Sequence, residues 1–82
     1  MEAQVRAILR ERSGLGDAVR GIGVHDSLWV LGMTSLASVE VMLDLEATFG
    51  FEFPENRLRH ATFATIFNIV RCVRELTESR VR

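Results

Sequence analysis

The run from Ser35 to Phe49 contains neither glycine nor proline. It is bracketed by Thr34, a residue suited to cap a helix at its start, and Gly50, suited to close one at its end. That bracket dictates a helix in the middle of the chain, and the rest of the fold has to be arranged around it. At 3.6 residues per turn, Val39, Met42, Leu45 and Phe49 gather on one side. Leu36, Glu40, Leu43, Asp44 and Ala47 gather on another. Two apolar sectors on one short helix predict a core face plus a partner face; a helix buried on two sides is the plainer alternative.

Residues 2–13 read as an earlier helix, because Ala3, Val5, Ile8 and Leu9 recur at helical spacing before Gly14 and Gly16. Five of the six glycines fall between residues 14 and 32. A loop that long in a small domain is usually functional or pinned by its own apolar residues. Ile22, Val24, Leu28, Trp29 and Leu31 are the candidates for pinning it. Phe51-Glu52-Phe53-Pro54 is an extended connection, since the proline disfavours helix at Phe53. Residues 55–60 predict a short helix around Leu58. Thr62 is the expected N-cap of a last helix carrying Phe63, Ile66, Phe67, Val70 and Val73. No segment alternates as a strand would.

The expected architecture is therefore all-α: one domain over residues 1–82, a small four-helix bundle with three longer helices, one short one and a long first loop. Its predicted core is Val5, Ile8, Leu9, Trp29, Leu31, Val39, Met42, Phe49, Phe63, Ile66, Phe67 and Val70. On that assignment, truncating Phe49 or Phe67 to alanine costs about 3–5 kcal/mol. With 48% hydrophobic and 26% charged residues, the composition is globular. No apolar run spans a bilayer. The N-terminal stretch lacks the apolar core of a signal peptide, so a soluble, cytoplasmic protein is expected.

The net charge of −1 conceals a segregation. Residues 21–56 hold six acids and no arginine, whereas all ten arginines lie outside that block and the chain has no lysine. An acidic block suits a basic partner, with ordinary solvated helix faces as the alternative. Nucleic-acid binding is disfavoured, because the central helix is acidic and the arginines are scattered among acids. Catalysis fails on inspection. His25 and His60 are the only imidazoles and stand in no metal-binding spacing, so exposed or capping roles are expected for them. Cys72 is the lone cysteine; it excludes an internal disulfide and reads as a partly exposed, unreactive thiol. No phosphate-binding glycine loop is present.

What remains is Ser35. A serine in the first turn of a helix after a glycine-containing loop lies beside free backbone N–H groups, where the helix dipole favours a phosphate. With no base next to it, it is better suited to being modified than to acting as a nucleophile by its own means. Around it stand Leu31-Gly32, Ser35-Leu36, Val39-Glu40, Leu45-Glu46, Phe49-Gly50 and Phe51-Glu52-Phe53-Pro54, followed by Thr62-Phe63, Ile66, Phe67, Ile69 and Val70. In this order and spacing they resemble the attachment region and last helix of the acyl carrier protein family.

The resemblance implies that Ser35 carries 4′-phosphopantetheine, taken from coenzyme A by a phosphopantetheinyl transferase. The arm's thiol would hold an acyl or aminoacyl cargo as a thioester. A cargo-loading ligase or acyltransferase would supply that cargo and a second enzyme accept it, the carrier being a free-standing monomer and not itself an enzyme. Thr34, Leu36, Glu40, Leu43 and Asp44 are the implied partner contacts. Two departures stand out. Thr34 occupies a position where the family usually has aspartate, and the chain is near neutral where fatty-acid carriers are strongly acidic. Threonine keeps the capping oxygen but loses the charge that the family's transferases and partners commonly meet. The charge balance favours a specialised carrier of amino acids or secondary-metabolite acyl groups over a fatty-acid carrier. The competing reading is an unmodified adaptor of the same fold that binds a partner through the central helix.

Overall fold

The computed structural model describes residues 1–78. Three α-helices, α1 (Glu2–Arg12), α2 (Ser35–Phe49) and α3 (Ile66–Glu78), surround one core. Three 3-10 turns join them, at Gly16–Gly21, Glu55–Arg57 and His60–Phe63. There is no strand among the described residues. The all-α expectation of three long helices and a short element holds. The short element is a pair of 3-10 turns separated by Leu58, whose backbone at φ −86°, ψ 69° breaks the helical path.

The long first loop is ordered by polar and apolar pins together. The Arg6 guanidinium on α1 donates to the carbonyls of both Val19 and Ile22, each at 2.8 Å. Further along, Leu28 N–H donates to Ala64 O at 2.7 Å, and Phe67 N–H donates to Val24 O at 2.9 Å. The loop is thereby tied to the entry of α3, and Val19, Ile22, Leu28 and Met33 are driven into the core. Leu31, an expected pin, is exposed instead.

α2 begins and ends where the sequence predicts. Thr34 is extended, and its Oγ1 accepts the Ala37 N–H at 3.1 Å. Gly50 takes a left-handed φ of 68°, which lets its N–H reach Glu46 O at 2.9 Å. Glu46 then acts a second time: its carboxylate accepts the Phe53 N–H at 2.9 Å. That contact satisfies a partly buried donor and seats Phe51 and Phe53, both buried, beneath the helix. A hydrogen bond to a charged group of this kind contributes about 1.5–3 kcal/mol. Glu46→Ala is accordingly expected to lower stability within that range in a urea melt, with Glu46→Gln losing less because its amide oxygen still accepts.

The helix faces are rotated from expectation. On α2 the buried residues are Val41 and Leu45, while Val39 is 47% exposed and Met42 and Phe49 are half-buried. With apolar residues on both sides of α2, composition sets the helix's phase only weakly, and packing against α1 decides it. On α3 the buried set is Ile66, Ile69, Cys72 and Val73. Phe67 is 43% exposed and Val70 half-buried, so the cost expected for truncating Phe67 is revised downward. Trp29 is likewise only half-buried. Thr62 does not cap α3: it lies in the turn His60–Phe63, and Thr65 Oγ1 accepts the Asn68 N–H in its place.

Cys72 is 5% exposed rather than partly open. The Arg57 guanidinium donates to its Sγ at 3.3 Å and pairs with Glu75 at 3.0 Å. Both partners, the sulfur first, hold Arg57 above the ordinary guanidinium range.

Candidate functional site

Ser35 is the first residue of α2 and is exposed. Its hydroxyl makes no hydrogen bond among the described residues, while its carbonyl accepts the Ser38 hydroxyl at 2.6 Å. Thr34 takes the Ala37 N–H, which leaves the N–H groups of Ser35 and Leu36 unpaired at the helix start. The turn that delivers the chain to this point needs Gly32, whose φ of 119° is open to glycine but not to other residues. Met33 N–H donates to Leu28 O at 3.0 Å and closes the turn, so Ser35 stands on a rigid corner rather than on a free loop.

Of the residues expected to meet a partner, Leu36, Glu40 and Leu43 line up at i, i+4 and i+7 along one face of α2. Leu36 is 74% and Leu43 55% exposed, and Glu40 projects between them without an ion pair among the described residues. Asp44 behaves differently. Arg12 reaches across from α1 to pair with it at 3.1 Å, and the Thr48 hydroxyl donates to its other oxygen at 3.1 Å. Arg12, Glu40, Leu43, Asp44 and Ala47 together line one shallow depression.

The acidic block of the sequence is therefore only partly an acidic surface. Asp44 is neutralised by Arg12, Glu46 is held by the Phe53 N–H, and Asp26 accepts the Gly23 N–H at 2.8 Å. Glu40 is the carboxylate left to present charge on the outer face of α2.

A feature that the sequence reading did not assign lies beside Ser35. An open groove of about 390 Å³ runs between the start of α2 and the segment 58–63. Trp29, Val39, Met42, Leu58 and Phe63 give it apolar walls; Ser35, Ser38, Arg59 and His60 edge it. The Trp29 indole stacks on His60 with ring centroids 4.2 Å apart, and its N–H donates to His60 O at 3.0 Å. Both histidines are exposed, as expected, but each meets an aromatic ring: His25 lies 4.9 Å from the Phe67 ring, tilted 39° to it. Four separate stretches of chain build the groove, so no spacing motif announces it. The sequence assigns Trp29, Val39 and Met42 to the core, and the one signal to the contrary was the pair of apolar sectors on α2.

The geometry provides an exposed hydroxyl on a helix start, an adjoining groove able to support an attached chain, and an apolar stripe leading away from it. Among the described residues no cluster of His, Cys, Asp and Glu could hold a metal ion, and no helix is long and apolar enough to cross a membrane.

Comparison with known proteins agrees with this arrangement. The family described as phosphopantetheine attachment site matches residues 3–76. An aminoacyl carrier protein of Agrobacterium fabrum is 39% identical over 66 residues, which is 80% of this chain and 80% of that protein. Among solved structures, the chain is similar to one in an engineered Bradyrhizobium japonicum glycine:[carrier protein] ligase complexed with carrier protein from Agrobacterium tumefaciens and AMP. That match has a TM-score of 0.86 and 38% identity, covering 90% of this chain and 99% of the other. A solution structure of a protein from Agrobacterium tumefaciens matches with a TM-score of 0.76 and 35% identity, covering 98% of this chain and 96% of the other. A family match over nearly the whole chain, with a capped helix presenting an exposed serine, makes this protein a member of the phosphopantetheine attachment family, a carrier and not a catalyst.

Proposed function

We propose that Ser35 is the attachment point of 4′-phosphopantetheine and that the arm's thiol carries an aminoacyl cargo as a thioester. The observation that carries the assignment is the free, exposed hydroxyl at the start of α2, next to unpaired N–H groups and an open groove. These residues fit the group: the hydroxyl takes the covalent bond, the helix start tolerates a phosphate, and the groove can support the pantetheine chain. When attached, the group supplies the thiol that forms the thioester. In the attachment step Ser35 Oγ bonds to the pantetheine-side phosphorus of coenzyme A, the P–O–P link of its pyrophosphate breaks, and adenosine 3′,5′-bisphosphate leaves. The proton on Oγ passes to a base of the phosphopantetheinyl transferase, since no described residue accepts it.

Aminoacyl cargo is favoured by the groove being open rather than a closed chamber. A long acyl chain gains from a sealed apolar cavity, whereas a small polar aminoacyl group does not. The likeness to an aminoacyl carrier protein, and to a chain in a structure of a glycine ligase with its carrier protein, supports the same reading. The partner surface is Leu36, Glu40 and Leu43 with Thr34 at its head. Asp44 contributes through its pair with Arg12, as a neutral part of that surface. A ligase would load the cargo, a second enzyme would accept it, and the carrier would act as a cytoplasmic monomer.

The test is an intact mass before and after incubation with coenzyme A and a broad-specificity transferase, followed by titration with a thiol reagent. A gain of one phosphopantetheine unit is expected, together with one fast-reacting thiol absent from the unmodified protein. Cys72, being buried, should react only on denaturation. No mass gain, either with that enzyme or in protein from its native cell, would favour the unmodified adaptor.

A further inference from the structure

The groove that contains Ser35 is edged by two basic side chains, Arg59 and His60, and by no carboxylate. Four of the eight described arginines carry an ion pair, and Arg20, Arg59, Arg71 and Arg74 do not. Arg6, Arg10, Arg12 and Arg57 pair with Glu2, Asp17, Asp44 and Glu75. Arg59 has no ion pair among the described residues. The backbone next to it is held at His60. His60 O accepts the Trp29 indole N–H, and the two rings stack. On the opposite wall, the first turn of α2 holds no acidic residue, and Thr34 rather than a carboxylate precedes Ser35. Both sides of the groove are thus free of negative charge at the point where an attached phosphate would sit.

We propose that Arg59 is the counter-ion of the phosphodiester on Ser35, closing across the groove onto its non-bridging oxygens. The inference rests on Ser35 being the attachment residue and goes beyond it, by assigning the phosphate a partner within the carrier itself. A guanidinium is suited to the task. It is always charged, it is planar, and its forked donors match phosphate oxygens in pairs. Arg59 and Ser35 line the same groove. Thr34, beside the serine, brings no charge that would repel the phosphate or compete for Arg59. The contact would bias the first part of the arm towards the groove and away from solvent. Arg59 is a positioning residue in this scheme.

The test uses holo protein whose mass gain has been verified, and reads phosphorus and arginine NMR rather than activity. On modification, the Arg59 Nε–H resonance is expected to move. The 31P resonance of the phosphodiester should differ between wild type and Arg59→Gln at low salt, with Arg59→Lys recovering part of the difference. Added salt should move the wild-type 31P resonance towards that of Arg59→Gln, since a pair at an open groove is screened. Arg74→Gln removes another arginine without an ion pair, one that lies outside the groove, and should leave the resonance unchanged. A 31P resonance that is the same in wild type and Arg59→Gln, with equal helical content in both, overturns the proposal and leaves the Ser35 assignment intact. Absence of any mass gain on Ser35 overturns both.

Discussion

Ser35→Ala is expected to leave the protein folded and to abolish its loading completely. The Ser35 side chain contributes nothing to the fold that alanine lacks: its hydroxyl has no hydrogen-bond partner among the described residues, and the N-cap contact is made by Thr34. Alanine is the best helix former, so stability should change by no more than about 0.5 kcal/mol. Loading requires an oxygen nucleophile at the exposed corner, and the neighbouring hydroxyls do not substitute. Ser38 lies on the groove, but its hydroxyl donates to Ser35 O at 2.6 Å. The Ser27 hydroxyl accepts the Val30 N–H at 3.2 Å in the preceding turn. The check is an intact mass of wild type and variant after identical treatment with coenzyme A and transferase, beside a thermal melt of each. A mass gain in Ser35→Ala would move the attachment to another hydroxyl. A lost gain accompanied by a lost melt would say nothing about the site, and the exposed position of Ser35 argues against that outcome.

The boundaries of α2 were legible in the sequence because they rest on local chemistry. A capping threonine and a glycine able to take a positive φ act on their own neighbours, whatever the rest of the chain does. Ser35, Leu36, Glu40 and Leu43 follow from those boundaries by counting, and all four are exposed where the sequence reading places them. What was not legible depends on residues far apart in the chain. Arg12 lies 32 positions from Asp44, so nothing in the acidic block reveals that one of its charges is cancelled. The groove draws on the loop at Trp29, on α2, on Leu58 to His60, and on Phe63, and only folding brings these together. Cys72 falls in the same class, since its burial depends on the Arg57 turn that covers it.

The rotation of α2 makes a quantitative prediction that separates the two assignments of its faces. Leu45 is fully buried, whereas Val39 is 47% exposed. Leu45→Ala removes atoms from the contact of α2 with the rest of the core and leaves a cavity, at a cost of about 2–5 kcal/mol. For a domain of this size each kcal/mol lowers the melting temperature by about 4–8 °C, so the variant should melt at least about 8 °C below wild type. Val39→Ala takes methyl groups from a wall that already faces water, and the loss should stay below about 1 kcal/mol. On the expected face of Val39, Met42, Leu45 and Phe49, Leu45→Ala would cost as much but Val39→Ala would lose more than this, so the Val39 variant is the one that separates the two assignments. The two substitutions also differ in what they should do to the carrier's work. Val39→Ala thins the apolar wall of the groove beside Ser35, so in the folded holo protein it should alter the environment of the arm and of the Trp29 ring on the same groove. Leu45→Ala, buried beneath the helix, should leave that environment unchanged at temperatures where the protein is still folded. Trp29 is the only tryptophan, so its fluorescence reports on the groove directly. A fluorescence change on modification that is altered by Val39→Ala and preserved in Leu45→Ala would tie the exposed half of α2 to function and its buried half to stability.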